Sequence, residues 1–92
     1  MKKPATKDEK NYLEWIAGLP CCICGCTGVH VHHIRTGQGL KRASHHDTIP
    51  LCPFHHQGKD GIHYMGRKAW ERYHDVIELD LLEEIKSLRQ LE

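Results

Sequence analysis

Ninety-two residues with a formal net charge of +1 and only 7% aromatic residues suit one compact domain with a thin core, because a chain this short buries proportionately little surface. No stretch approaches the about twenty apolar residues of a membrane span, and the segment from Met1 to Glu9 has charges but no apolar run of the secretory kind. The expectation is a cytoplasmic protein with no membrane partner. All five cysteines and nine histidines fall between Cys21 and His74, which is a metal-site composition. An odd cysteine count in a reducing compartment favours thiolate ligands over a disulfide scaffold.

In chain order, Thr6 followed by Glu9 has the form of a capping box, and Tyr12, Trp15 and Ile16 then recur at helical spacing before Gly18 and Pro20. A helix over residues 7–17 is predicted, its aromatic stripe serving as core packing. Residues 20–26, Pro-Cys-Cys-Ile-Cys-Gly-Cys, make a tight knuckle, and Val29, Val31 and the histidines up to Ile34 make a short strand. From Arg35 to Asp47 there is no apolar periodicity and there are two glycines, so an irregular, exposed loop is expected. Thr48 to Leu51 gives a second brief strand. Pro53 suits the first turn of a short helix carrying His55 and His56, which Gly58 and Gly61 interrupt. Residues 67–74 read as helical. Asp80 with Glu83 reads as the cap of a last helix whose Leu81, Leu82, Ile85 and Leu88 share one apolar face.

The small net charge conceals a polarity. Residues 30–74 carry seven Lys/Arg against three Asp/Glu, whereas residues 75–92 carry two against six. Positive charge therefore sits with the histidines, as a polyanion partner would require.

Cys21 and Cys24 form a C-x-x-C pair, and Cys52 with His55 forms C-x-x-H after 27 intervening residues. Two residues between ligands let a knuckle aim both side chains at one tetrahedral zinc. Cys22 and Cys26 offer C-x-C alternatives with Cys24, and the Pro-Cys-x-x-Cys-Gly register selects Cys21 and Cys24. A structural zinc contributes about 10 kcal/mol or more to folding, which a thin core needs.

Once these four are set aside, His32, His33, His56 and His63 flank the two halves of the staple. The order Val-His-Val-His-His-Ile, then Asp-Thr-Ile-Pro-Leu-Cys-Pro-Phe-His-His, resembles the HNH family of endonucleases and its ββα-metal motif. The combination His-His-Ile-Arg-Thr-Gly, Thr-Ile-Pro-Leu-Cys, His-His-Gln, Gly-Ile-His and Arg-Lys-Ala-Trp-Glu looks more narrowly like the phage and prophage Ref-type recombination nucleases, which act on DNA held by the RecA recombinase. The resemblance spans about residues 19–75. It implies a ββα-metal core, and with the elements read above the expectation is a small α+β fold in one domain: an N-terminal helix over 1–19, zinc knuckles and ββα-metal core over 20–63, and C-terminal helices over 64–92. It also implies His33 as general base, His32 and His56 as ligands of a second, catalytic divalent metal (Mg, Mn, Ni or Zn), and His63 as a further site histidine. Asp47 stands where the motif usually has Asn; a carboxylate there can hold the base tautomer or approach the metal. Arg35, Lys41 and Arg42 fall in or beside the loop that the family lays against DNA, and are the expected phosphate contacts. Arg67 and Lys68 are weaker candidates.

The implied activity is metal-dependent hydrolysis of DNA phosphodiester bonds. The rival reading is a non-catalytic zinc module that binds DNA or protein, in which the histidines are structural or hold a second zinc. A thiol redox protein lacks the βαβ surroundings that frame a reactive C-x-x-C.

Overall fold

A computed structural model describes residues 5–35 and 44–90. Its first helix, α1 (Lys7–Ala17), starts where the capping box lies: Thr6 Oγ1 accepts from the Glu9 N–H at 3.1 Å and Glu9 Oε1 accepts from the Thr6 N–H at 2.8 Å. Such a cap contributes about 1 kcal/mol. Tyr12 and Ile16 are buried, and Trp15 is half-buried beside them.

β1 (His30–His33) and β2 (Thr48–Leu51) pair antiparallel, with His30 opposite Leu51, Val31 opposite Pro50, His32 opposite Ile49 and His33 opposite Thr48. A two-stranded sheet is marginal by itself. Here all four residues of β2 are buried, and Ile49 and Leu51 join Ile16, Trp70, Leu81 and Ile85 in one core cluster. Two further bonds extend the pairing: the Ile34 N–H donates to the Asp47 carbonyl, and the Cys22 N–H to the Pro50 carbonyl. The second of these ties the cysteine knuckle to the sheet.

β2 runs into α2 (Pro53–His56), a single turn with Pro at its start. A further turn not expected from the sequence follows, α3 (Ile62–Met65). Gly58 and Gly61 do more than stop α2. A Cβ on Gly61 would lie 2.6 Å from the His56 carbonyl carbon, and one on Gly58 would lie 2.7 Å from the Phe54 oxygen. Only glycine lets the chain fold back this closely on α2, and that return sets His63 beside His56. Gly66, with φ +86, then turns the chain into α4 (Arg67–His74), which buries Trp70 completely.

The last helix, α5 (Glu78–Gln90), begins two residues before the Asp80 cap expected from sequence. The reason is a bond from outside the helix: Glu71 Oε2 accepts from the Glu78 N–H at 2.7 Å, satisfying an otherwise open first-turn donor. Leu81, Leu82 and Ile85 are buried as expected, but Leu88 is 49% exposed. Helical spacing identifies a face, not the point where the core ends. No helix among the described residues is long and apolar enough to cross a membrane.

Candidate metal centres

Two groups of side chains that can hold a metal ion lie among the described residues. The first is Cys21, Cys24, Cys52 and His55. The knuckle that presents the first pair is closed by the Cys21 N–H donating to the Cys26 carbonyl and the Gly25 N–H to the Cys21 carbonyl, both 2.8 Å, with Gly25 at φ +79. The second pair sits at the cap and on the single turn of α2, which brings Cys52 Sγ to 3.2 Å from His55 Nδ1. Across the group, Cys24 Sγ lies 3.7 Å from Cys52 Sγ, and Cys21 Sγ lies 3.9 Å from His55 Nδ1.

These spacings suit an ion. Zinc–sulfur bonds of about 2.3 Å in a tetrahedron place two sulfurs about 3.8 Å apart. The acid–base chemistry of the group agrees. Burial disfavours the Cys21 thiolate, but backbone N–H groups around it outweigh that, and the thiol ionises below its ordinary value. Cys52 is pushed up, first by burial and also by the neighbouring Cys21. A cation lets further thiolates form beside the first. Cys22, which the sequence leaves as an alternative, is pushed up to about 12, chiefly by burial and then by Cys21. It is not one of the four, nor is the exposed Cys26.

The second group is His32, His56 and His63, whose candidate ligand atoms all lie within 4.8 Å of one another. They come from β1, α2 and α3. His56 is pushed down to about 4 by burial and then by its neighbours His32, His63 and His30. His63 is likewise lowered, by burial first and then by His32, with Glu78 opposing. His56 is therefore a neutral imidazole at pH 7, with a lone pair to offer. Three imidazoles so placed suit a borderline ion such as zinc, with a fourth position left open.

Around this group lie contacts that no local sequence signal announces. His30 Nδ1 meets His56 Nδ1 at 2.9 Å, so Nε2 is the His56 nitrogen left for an ion. His32 Nε2 lies 2.7 Å from Glu78 Oε2. Strand alternation could have paired His30 with His32 on one face; Glu78 is 46 residues from His32, and nothing local connects them.

His33 points away from its strand neighbour to His45, with Nε2 to Nδ1 at 3.0 Å. Burial, then His45 and His32, lower its pKa. It nevertheless shares a cleft of about 460 Å³ with His32, Arg35, His63, Arg67 and Glu78. Asp47 Oδ1 accepts from Lys86 Nζ at 2.9 Å, and the His45 ring stands against His33. Arg35 is exposed, and Arg67 pairs with Glu71 at 2.9 Å. Lys68 is exposed on α4 and does not line the cleft. Lys41 and Arg42 lie outside the described residues.

The architecture is thus a small α+β protein with a cysteine-rich candidate zinc site and a histidine-rich one beside a cleft. Residues 1–86 match DUF968, described as a protein family of unknown function, and the chain belongs to that family. No curated protein and no solved structure matches it.

Proposed function

We propose that this protein is a metal-dependent HNH endonuclease that hydrolyses DNA phosphodiester bonds, with β1, β2 and α2 as its ββα-metal motif. The observation that carries the reading is one cleft in which members of a three-histidine centre, a separate neutral histidine and two arginines meet. His32, His56 and His63 would hold the ion, and Cys21, Cys24, Cys52 and His55 a structural zinc. A divalent ion bound there supplies stabilisation of the charge on the departing 3′-oxygen.

The chain's own residues do the rest. His33 Nε2 lies 3.0 Å from His45 Nδ1; the tautomer that donates Nε2–H there would leave a lone pair on Nδ1 to take a proton from the attacking water. A lowered pKa keeps His33 in that basic form at neutral pH. The products are a 5′-phosphate and a 3′-hydroxyl. Arg35 and Arg67 bind backbone phosphate at the rim, which positions DNA without reading sequence. Asp47 pairs with Lys86 just before the start of β2. The resemblance to Ref-type nucleases makes DNA within a RecA filament a candidate substrate.

The test is single-turnover nicking of a supercoiled plasmid across Mg, Mn, Ni and Zn concentrations, with and without RecA. His33→Ala should cut about 10²- to 10⁴-fold more slowly than wild type, the range for losing a positioned base, with zinc content and DNA affinity unchanged. A loss of threefold or less would remove His33 from the base role. A wild-type protein that never cuts hands the site to the alternative, a zinc module that binds without catalysis.

A further inference from the structure

Glu78 is the most deeply buried acidic side chain among the described residues, 2% exposed, and a carboxylate is rarely placed so unless it is paired. Its Oε2 lies 2.7 Å from Nε2 of His32, itself 6% exposed. It also lines the cleft with His32 and His63. Its position is built from a distance: Arg67 holds Glu71 Oε1, and Glu71 Oε2 takes the Glu78 N–H. This pins the first turn of α5 and aims the carboxylate at β1.

We propose that Glu78 is the carboxylate member of the histidine metal centre, orienting His32 by accepting its Nε2–H and supplying the negative charge that a buried dication there requires. The inference rests on the reading of His32, His56 and His63 as one metal site. Glu78 is not in the group whose candidate ligand atoms all lie within 4.8 Å of one another, so its role is to position a ligand and not to be one. The chemistry follows from the hydrogen bond. A ring nitrogen that gives its hydrogen to a carboxylate has no lone pair for an ion, so His32 binds through Nδ1. His30 does the corresponding work for His56, whose Nδ1 it engages, leaving Nε2 to bind. Partners of this sort fix the tautomer and raise ligand basicity. The two histidines therefore present opposite ring nitrogens to one ion, each chosen by a different neighbour.

The same protein, loaded first with one equivalent of zinc for the cysteine site and then titrated with Co²⁺ or Zn²⁺, tests this without reference to cleavage. Glu78→Gln keeps the shape but removes the charge, and should weaken the second equivalent about 10- to 100-fold while the first is retained. Its Co²⁺ absorption bands should shift. Glu78→Asp should recover part of the affinity. Long-range ¹⁵N–¹H spectra of wild-type protein carrying two zinc ions should show His32 with hydrogen on Nε2 and metal on Nδ1, a readout independent of whether any variant folds. Metal on Nε2 of His32, or a Glu78→Gln affinity within twofold of wild type, overturns the role given to Glu78. A wild-type protein that takes up one ion only overturns the histidine centre itself, and this inference with it.

Discussion

The two candidate centres are built from the same few elements but by different means. The cysteine group is assembled from two short knuckles in which each pair is two residues apart, and its ligands are held by backbone hydrogen bonds within the knuckles. The histidine group takes one residue from each of three elements, and its members are held by side chains from further away, His30 and Glu78. One therefore follows from local geometry, whereas the other exists only after β1, α2, α3 and α5 have packed. A closed set of thiolates suits a structural ion, and an imidazole set beside an open cleft suits one that meets substrate. Loss of the first centre should thus cost the fold, and loss of the second should cost chemistry.

The sharpest way to break this contrast is to remove one ligand from each. Cys24→Ser deletes one member of the candidate zinc site, and structural zinc binding is worth on the order of 10 kcal/mol, comparable to the whole stability of a small domain. The variant should unfold, with loss of far-ultraviolet circular dichroism and of one equivalent of zinc. His63→Ala, at an exposed member of the other candidate centre, should keep its melting temperature within a few degrees. If Cys24→Ser melted like wild type without its zinc, the cysteine group would not be the staple.

The same contrast explains what could be read from the chain. α1, both strands and the start of α2 follow from local signals: the Thr6/Glu9 box, Val29 and Val31 alternating with histidines, the apolar stretch Thr48 to Leu51, and Pro53. The cysteine group is legible because two-residue spacing is itself a geometric statement. α3 was hidden because Gly58 and Gly61 read as breakers, when their lack of a Cβ allows the close return that places His63. The early start of α5 and the burial of Glu78 depend on Glu71, seven residues back across a turn. His45 stands at His33 for a reason that only the packed turn before β2 reveals: the Thr48 hydroxyl donates to the His45 carbonyl at 3.1 Å and fixes that turn.

A smaller effect separates the centres by pH. Burial and neighbouring imidazoles depress His56 to about 4 in the folded chain, against an ordinary value near 6.5. Between these values the unfolded chain binds the proton that the folded chain refuses, so stability is full above about pH 6.5 and is lost as pH falls toward about 4. His56→Gln lacks this group. From pH 7 to pH 5, wild type should lose more stability in urea than His56→Gln does, both measured with equal zinc content in the cysteine site. Parallel losses would mean that His56 is not held neutral by its surroundings.

The smallest effect concerns the rim of the cleft. A lysine or arginine that sits on a DNA phosphate displaces condensed counterions, so the logarithm of affinity falls with the logarithm of salt by about 0.9 for each duplex contact. Arg35 lines the cleft, whereas Lys59 is exposed but does not. Arg35→Ala should therefore reduce the salt slope by about one, with a few-fold loss of affinity at low salt. Lys59→Ala should leave the slope alone. Neutralising Lys41 and Arg42 as well should lower it further, because the resemblance assigns both, with Arg35, to phosphate contacts. Fluorescence anisotropy on a short duplex between low and moderate salt reads all of these slopes. Equal slopes for Arg35→Ala and wild type would take DNA off this face, whatever the fate of the metal. A reduced slope for Lys59→Ala alone would move the DNA to the segment that follows α2, next to the cysteine centre, and reverse the division of labour between the two halves.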